Sequence, residues 1–244
     1  MTDYAVLEGR ISVEAALRAR SRDIYTIYIH EGKPHKDTAQ LERSARAAGV
    51  AVERADQAFI QAHATGRTHG GVVAFVGERR VLQLQDLLKE ASPPFIVMLD
   101  GVEDPFNFGH ALRALYAAGV NGVVVRRRDW TSAAGIVARA SAGASELIPL
   151  AEAESAPSAA EFFRAQGLTI ACTAKRNAVS IYDADLTVPL FLLLGGERRG
   201  ITRSFVDRAD LLLRVPYSRK FGASLPTASA TAVIAFEVMR QRSR

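Results

Sequence analysis

The sequence predicts an α/β protein of two domains, the second organised on a mostly parallel sheet. After Pro94, the apolar runs Phe95 to Leu99, Val123 to Val125, Leu168 to Cys172, Leu190 to Leu194 and Leu211 to Val215 show no alternation of apolar with polar residues. That pattern is expected of strands covered on both faces. Helical patterns lie between the runs, the kind of connection that parallel strands need. A charged step at Gly77 to Arg80, followed by Pro93 and Pro94, breaks the periodic pattern. These breaks place a first domain at 1–78, a linker at 79–93 and a second domain at 94–244.

In the first domain, Ser12 suits the N-cap of a helix running through Arg20, Ile24 to Ile29 is a β-rich run, and Asp37 to Gly49 reads as a helix ended by glycine. A strand near Val50, a short helix after Asp56 and a strand over Gly71 to Val76 complete the unit. An amphipathic segment around Asp86 to Glu90 occupies the linker. The last element, about Leu225 to Gln241, is a long helix whose apolar residues include Val233, Ile234, Phe236, Val238 and Met239. So broad an apolar surface implies burial on more than one side.

The 244 residues, 48% hydrophobic and 23% charged, are ordinary for folded domains, without a solenoid repeat or a low-complexity stretch. A net charge of +5 suits a polyanionic partner such as RNA. The start, MTDYAVLEGR, lacks the basic and apolar regions of a secretory leader, and the apolar runs are strand-length, so a cytoplasmic protein with no membrane contact is expected. Cys172, the single cysteine, admits no intrachain disulfide and reads as a buried strand position rather than a nucleophile. His30, His35, His63, His69 and His110 form no metal-ligand spacing, and no metal is expected.

The most informative stretch is Leu99 to Gly119, LDGVEDPFNFGHALRALYAAG, where a strand enters a polar turn and then a helix carrying Arg113. Taken locally, Asn107 is an N-cap and Arg113 an exposed helical arginine. LLLGGERRG, Leu192 to Gly200, sets two glycines at the end of a buried strand, locally a tight turn. It carries neither the GxGxxG of a dinucleotide fold nor the GxxxxGK[ST] of a phosphate loop. In VPYSRKFGASLPTASA, Val215 to Ala230, Ser224 is expected to cap the final helix, with Pro226 in its first turn.

These three segments, in this order, resemble the three signatures of the SpoU/TrmH family of RNA ribose methyltransferases. LEGRISVEAALRA (Leu7 to Ala19) and THGGVVAFV (Thr68 to Val76) are similar to the start and end of that family's accessory RNA-binding domain, and RASAGASELIPL (Arg139 to Leu150) to a stretch between the first two signatures. The resemblance implies a small RNA-binding domain, a catalytic domain with a C-terminal trefoil knot, S-adenosylmethionine as cofactor, and a homodimer. It also implies roles. Arg113 would be the catalytic arginine and Asn107 the residue holding the loop and that arginine in place. Gly195, Val215 and Leu225 would offer backbone to the cofactor, Glu197 would organise the catalytic side, and Ser224 would face the substrate. A guanidinium with an intrinsic pKa above about 12 grips a phosphate more readily than it removes a proton, so Arg113 is expected to orient the RNA while the phosphate or the arginine assists proton removal.

The third signature departs from the family pattern. Tyr217 follows Pro216 where a methionine is usual, one residue is inserted, and Pro226 and Ala228 replace an asparagine and a serine, with the hydroxyls of Thr227 and Ser229 nearby. The inserted loop, Ser218 to Gly222, sets Arg219 and Lys220 beside the expected pocket, where RNA contact is expected. Arg126 to Arg128 read as a solvated run, Trp130 as a packing residue and His110 as a helix-surface histidine. The resulting expectation is S-adenosylmethionine-dependent 2′-O-methylation of RNA, ribosomal RNA first and transfer RNA second. A silent RNA-binding member, kept open by the missing asparagine, and base methylation by a related enzyme are the alternatives. A nucleotide-dependent oxidoreductase lacks its glycine fingerprint.

Overall fold

The computed structural model describes residues 4–66, 68–89, 93–127, 133–196 and 200–243. Along the chain run β1 (Ala5–Glu8), α1 (Arg10–Ala19), β2 (Ile24–His30), α2 (His35–Ala47), β3 (Ala51–Ala55), α3 (Gln57–His63), β4 (Val72–Val76) and a 3-10 turn at Leu84–Leu88. There follow β5 (Phe95–Asp100), α4 (Pro105–Ala117), β6 (Gly122–Arg126), α5 (Ala134–Ala140), α6 (Ala144–Leu147), β7 (Leu150–Ala153), α7 (Ala156–Ala165), β8 (Thr169–Thr173) and β9 (Val179–Ser180). The last four are β10 (Leu190–Gly195), α8 (Arg203–Val206), β11 (Leu211–Arg214) and α9 (Thr227–Arg242). The chain divides into two compact units, Met1–Arg80 with Asp129–Leu147, and Val81–Arg128 with Ile148–Arg244.

The first unit holds a four-stranded sheet in the order β1-β4-β2-β3, with β2 and β3 parallel and the other pairs antiparallel. Alternation along β2 sends Ile27 and Ile29 into a core with Leu7, Val13, Leu41 and Val72, while Tyr28 faces the other way, against Phe59 and Phe75. Asp56 caps α3, its carboxylate accepting the Phe59 N–H at 2.7 Å. Ser12 does not cap α1. The helix begins after Gly9, whose φ of +83° turns the chain straight out of β1, and Ser12 is buried within it.

Residues 133–147, which the sequence reading sets in the second domain, pack with the first unit. Ala134 and Ala138 of α5 join the core of the first sheet, and Arg139 pairs with the buried Glu8. Glu146 of α6 accepts from Arg22 Nε at 3.0 Å and Ser21 Oγ at 2.6 Å. Burial lowers the neighbouring Arg79 guanidinium to about 10, Glu146 opposing and Arg22 adding to the shift. One carboxylate thus serves two arginines. Glu146→Ala is expected to cost about 3–5 kcal/mol, the range for removing one partner of a buried ion pair. A denaturation midpoint equal to that of the unsubstituted protein would show that the pair contributes nothing.

In the second unit seven strands run in the order β7-β6-β5-β10-β8-β11-β9. Every pairing among the described residues is parallel. Phe163, Phe191, Ile96, Met98, Ile170 and Cys172 form the core of one face. Cys172 is buried in β8, where burial raises its thiol to about 11 and leaves it inert at neutral pH. From β5 the chain proceeds outward through β6 and β7, then resumes on the other side of β5. The reversal lies between β5 and β10, and in open α/β sheets ligands bind at the carboxyl ends of the strands flanking such a reversal.

α9 packs against α4 and β10. Its N-cap is Pro226, so Ser224 lies outside the helix and caps nothing. Proline's fixed φ already suits the entry, and the Thr231 hydroxyl, bonding back to the Thr227 carbonyl at 2.7 Å, steadies the first turn. Burial of the helix is one-sided. Thr227, Thr231, Ile234, Ala235 and Val238 are buried, whereas Phe236 and Met239 remain exposed.

Candidate active site

The carboxyl ends of β5 and β10 meet where Gly195 pairs with Asp100. Gly196 N–H donates to the Asp100 carbonyl at 2.7 Å, and a Cβ at Gly196 would lie 1.9 Å from the Gly101 carbonyl oxygen. Only glycine lets the two backbones approach so closely. The Asp100 carboxylate ion-pairs with Arg126 Nε at 2.6 Å, from the end of the adjacent β6. Arg126 is therefore bound at this strand end and is not simply solvated.

From Asp100 the chain turns into α4. Asp104 is its N-cap, accepting from the N–H groups of Phe106 at 3.4 Å and Asn107 at 3.0 Å, with Pro105 in the first turn. Asn107 is not the cap. Asp104 precedes the proline that fits the first helical position, which leaves Asn107 half-buried inside the first turn. Phe106, His110 and Arg113 share one exposed stripe at helical spacing. Arg113 makes no hydrogen bond or ion pair among the described residues, so its guanidinium is open to a ligand.

The third contribution comes from β11 to α9. Val215, directly after β11, and Leu225 are half-buried, as is Gly195. Thr227 Oγ1 donates to the Gly195 carbonyl at 3.3 Å, tying the start of α9 to the end of β10. Tyr217 Oη accepts the Leu225 N–H at 3.0 Å, so that amide is already satisfied within the protein. Arg219, Lys220 and Ser224 are exposed. The structure thus brings Asp100, Gly101, Gly195, Gly196 and Thr227 together and leaves Arg113 unbonded on the helix that follows β5. Glu197, Arg198, Arg199, Arg128 and Trp130 lie outside the described residues.

Backbone amides, carbonyls and small side chains at the carboxyl ends of β10 and β11 suit the base and hydroxyls of a nucleoside-bearing cofactor, which need hydrogen bonds and close approach rather than charge. S-Adenosylmethionine fits that donor set. Among the described residues no group of three or more His, Cys, Asp or Glu side chains could hold a metal ion, and no helix is long and apolar enough to cross a membrane. A cavity of about 160 Å³ lined by Ala160, Arg164, Ile170 and Phe205 contains none of the residues of this cluster. Sequence reasoning read Arg126 as solvated, took Gly196 only as part of a tight turn, and did not single out Asp100. The doubled glycine was the available signal for Gly196, while the ion pair depends on strand order.

The description "SpoU rRNA Methylase family" matches residues 94–236, and "RNA 2′-O ribose methyltransferase substrate binding" matches residues 6–82. The chain is 32% identical over 246 residues to a 23S rRNA (guanosine-2′-O-)-methyltransferase RlmB of Pseudomonas putida, covering 99% of this chain and 98% of the relative. The corresponding protein of Shewanella oneidensis is 30% identical over 245 residues, 99% of each chain. A crystal structure of an AdoMet-bound rRNA methyltransferase from Sinorhizobium meliloti superposes with a TM-score of 0.81 at 27% identity, covering 98% of this chain and 88% of that one. With the family match extending over the segments that build the site at β5, β10 and α9, the chain belongs to the SpoU rRNA methylase family.

Proposed function

We propose that this protein transfers a methyl group from S-adenosylmethionine to a ribose 2′-hydroxyl of ribosomal RNA, transfer RNA being the alternative substrate. The observation that carries the assignment of roles is the unbonded, exposed Arg113 guanidinium on the helix that leaves β5, the strand whose carboxyl end meets that of β10. The name of the relatives supports a guanosine of the large ribosomal RNA as the target.

When bound, S-adenosylmethionine supplies an electrophilic methyl group. Gly195, Val215 and Leu225 hold it through backbone contacts. Arg113 grips a phosphate next to the target ribose with its two-pronged donor face and sets the 2′-oxygen in line with the methyl carbon. Removal of the hydroxyl proton would be assisted by that phosphate or by Arg113 itself. Asn107 positions the turn, Glu197 organises the catalytic side, and Ser224, Arg219 and Lys220 face the RNA. Domain 1–78, with α5 and α6 packed into it, selects RNA by shape and charge, 79–93 links, and the rest of 94–244 is the knotted catalytic domain, at work in the cytoplasm.

The exposed Phe236 and Met239 on α9, with Tyr116 on α4, support a homodimer. Light scattering is expected to report the mass of two chains, and a monomer at micromolar concentration would count against that pairing. The silent RNA-binding reading rests on Pro226 replacing asparagine. Thr227, one residue on, gives a hydroxyl to Gly195 and favours the enzyme.

Incubation with tritiated S-adenosylmethionine and unmodified RNA, followed by nucleoside analysis, is expected to place label in a 2′-O-methylated nucleoside. RNA binding without any label would instead make this a silent member. Joint replacement Arg219→Ala and Lys220→Ala is expected to weaken RNA binding and to reduce the salt slope by about one to two, one step per lost phosphate contact. Unchanged affinity and slope would return both residues to solvent.

A further inference from the structure

We propose that Tyr217 and Phe221 form a stacking platform for an unpaired nucleobase of the RNA, close to the ribose that is methylated; this rests on the RNA methyltransferase reading and names what its inserted loop is for. Both rings are exposed, Tyr217 at 42% and Phe221 at 61%, although each has the other within reach, centroids 6.1 Å apart and planes 58° to one another. Two aromatic rings that served only to close the loop would cover one another. Instead the pair leaves apolar faces in water.

The ring of Tyr217 is anchored at its edge, where the hydroxyl accepts the Leu225 N–H at 3.0 Å, so its position is set without covering its face. At Gly222 a Cβ would meet nothing within 4 Å, so the loop is open beside Phe221. Arg219 and Lys220, both exposed, stand between the two rings in sequence, and no acidic residue occurs from Leu211 to Phe236. Aromatic faces interleaved with cations, on a stretch free of carboxylates, match the chemistry of single-stranded nucleic acid. Bases stack on the rings while cations meet the phosphates. A duplex keeps its base faces covered, so the platform selects unpaired nucleotides.

The test uses the full chain with Phe221→Ala and Phe221→Tyr, a short mixed-sequence oligoribonucleotide as a single strand and as a blunt duplex, and calorimetric titration of S-adenosylmethionine. Phe221→Ala is expected to lose about tenfold in single-strand affinity, the effect of removing one stacked base. Duplex and cofactor affinities should stay unchanged, and Phe221→Tyr should restore the loss. In a second readout, Phe221→Trp combined with Trp130→Phe should show fluorescence quenched by the single strand and not by the duplex. Wild-type affinity for the single strand in Phe221→Ala, equal loss on both RNAs, or a loss that follows cofactor affinity would each overturn the platform. Methyl transfer by the unsubstituted protein is assayed alongside. Transfer with an unaffected Phe221→Ala variant sinks the platform and leaves the enzyme standing, whereas selective loss of single-strand binding without any transfer sinks the enzyme and leaves the platform.

Discussion

Replacing Arg113 with alanine is expected to lower methyl transfer by at least about a hundredfold while leaving the unfolding midpoint unchanged, because a preorganised cation facing developing charge has effects of that size and an exposed side chain without partners contributes little to stability. Arg113 is exposed and bonded to nothing among the described residues, so the fold gives no reason for an arginine there. The loss should appear mainly in kcat, since gripping the phosphate aligns the oxygen more than it adds affinity. Arg113→Lys keeps the charge and removes the fork, and its rate should fall between the two. Near-normal turnover in the lysine variant, measured on the true RNA, would show that bidentate geometry is irrelevant.

Gly196→Ala should have the largest effect of any single methyl group in the second unit. The added carbon would sit 1.9 Å from the Gly101 oxygen and 2.4 Å from its carbonyl carbon, and both obstacles are backbone. Relief requires the ends of β5 and β10 to separate, which breaks the 2.7 Å bond from Gly196 N–H to Asp100 and disturbs the Gly195 carbonyl that Thr227 holds. A stability loss of about 1–3 kcal/mol is expected from such overpacking, together with at least about a tenfold loss in cofactor affinity, the equivalent of one lost hydrogen bond of about 1.4 kcal/mol. Gly222→Ala serves as the control, because its Cβ has open space. Calorimetric titration showing the same cofactor affinity in Gly196→Ala and the unsubstituted protein would refute the tie between this crossing and the site.

Much of this architecture was legible because its strands are apolar on both faces. β5, β8, β10 and β11 were each marked by a run that admits no other environment. β1 and β7, four residues each, are too short for a periodicity to stand out and escaped notice, as did the two-residue β9, whose existence depends on pairing with β11. The caps failed in a consistent way. Ser12, Asn107 and Ser224 are each good cap residues by type, and each was displaced by a backbone circumstance: Gly9 at positive φ, Asp104 before a well-placed proline, and Pro226 itself. Residue type identifies who can cap, whereas the neighbouring chain decides who does. The segments that the resemblance singled out lie within the family match, but the Asp100–Arg126 pair follows from β5 and β6 lying side by side and is invisible in a one-dimensional pattern.

β10 lies between β5 and β8, both of which are synthesised before it. Until β10 emerges from the ribosome, the growing sheet must either hold a gap or pair wrongly, with two long apolar edges lacking their proper neighbour. The strand that fills the gap is also the one that carries Gly195 and Gly196. Closure of the sheet by β10 therefore precedes completion of the site, which waits for β11 and α9. A chain that stopped before β10 would lack both the strand that joins β5 to β8 and the paired glycines at its end.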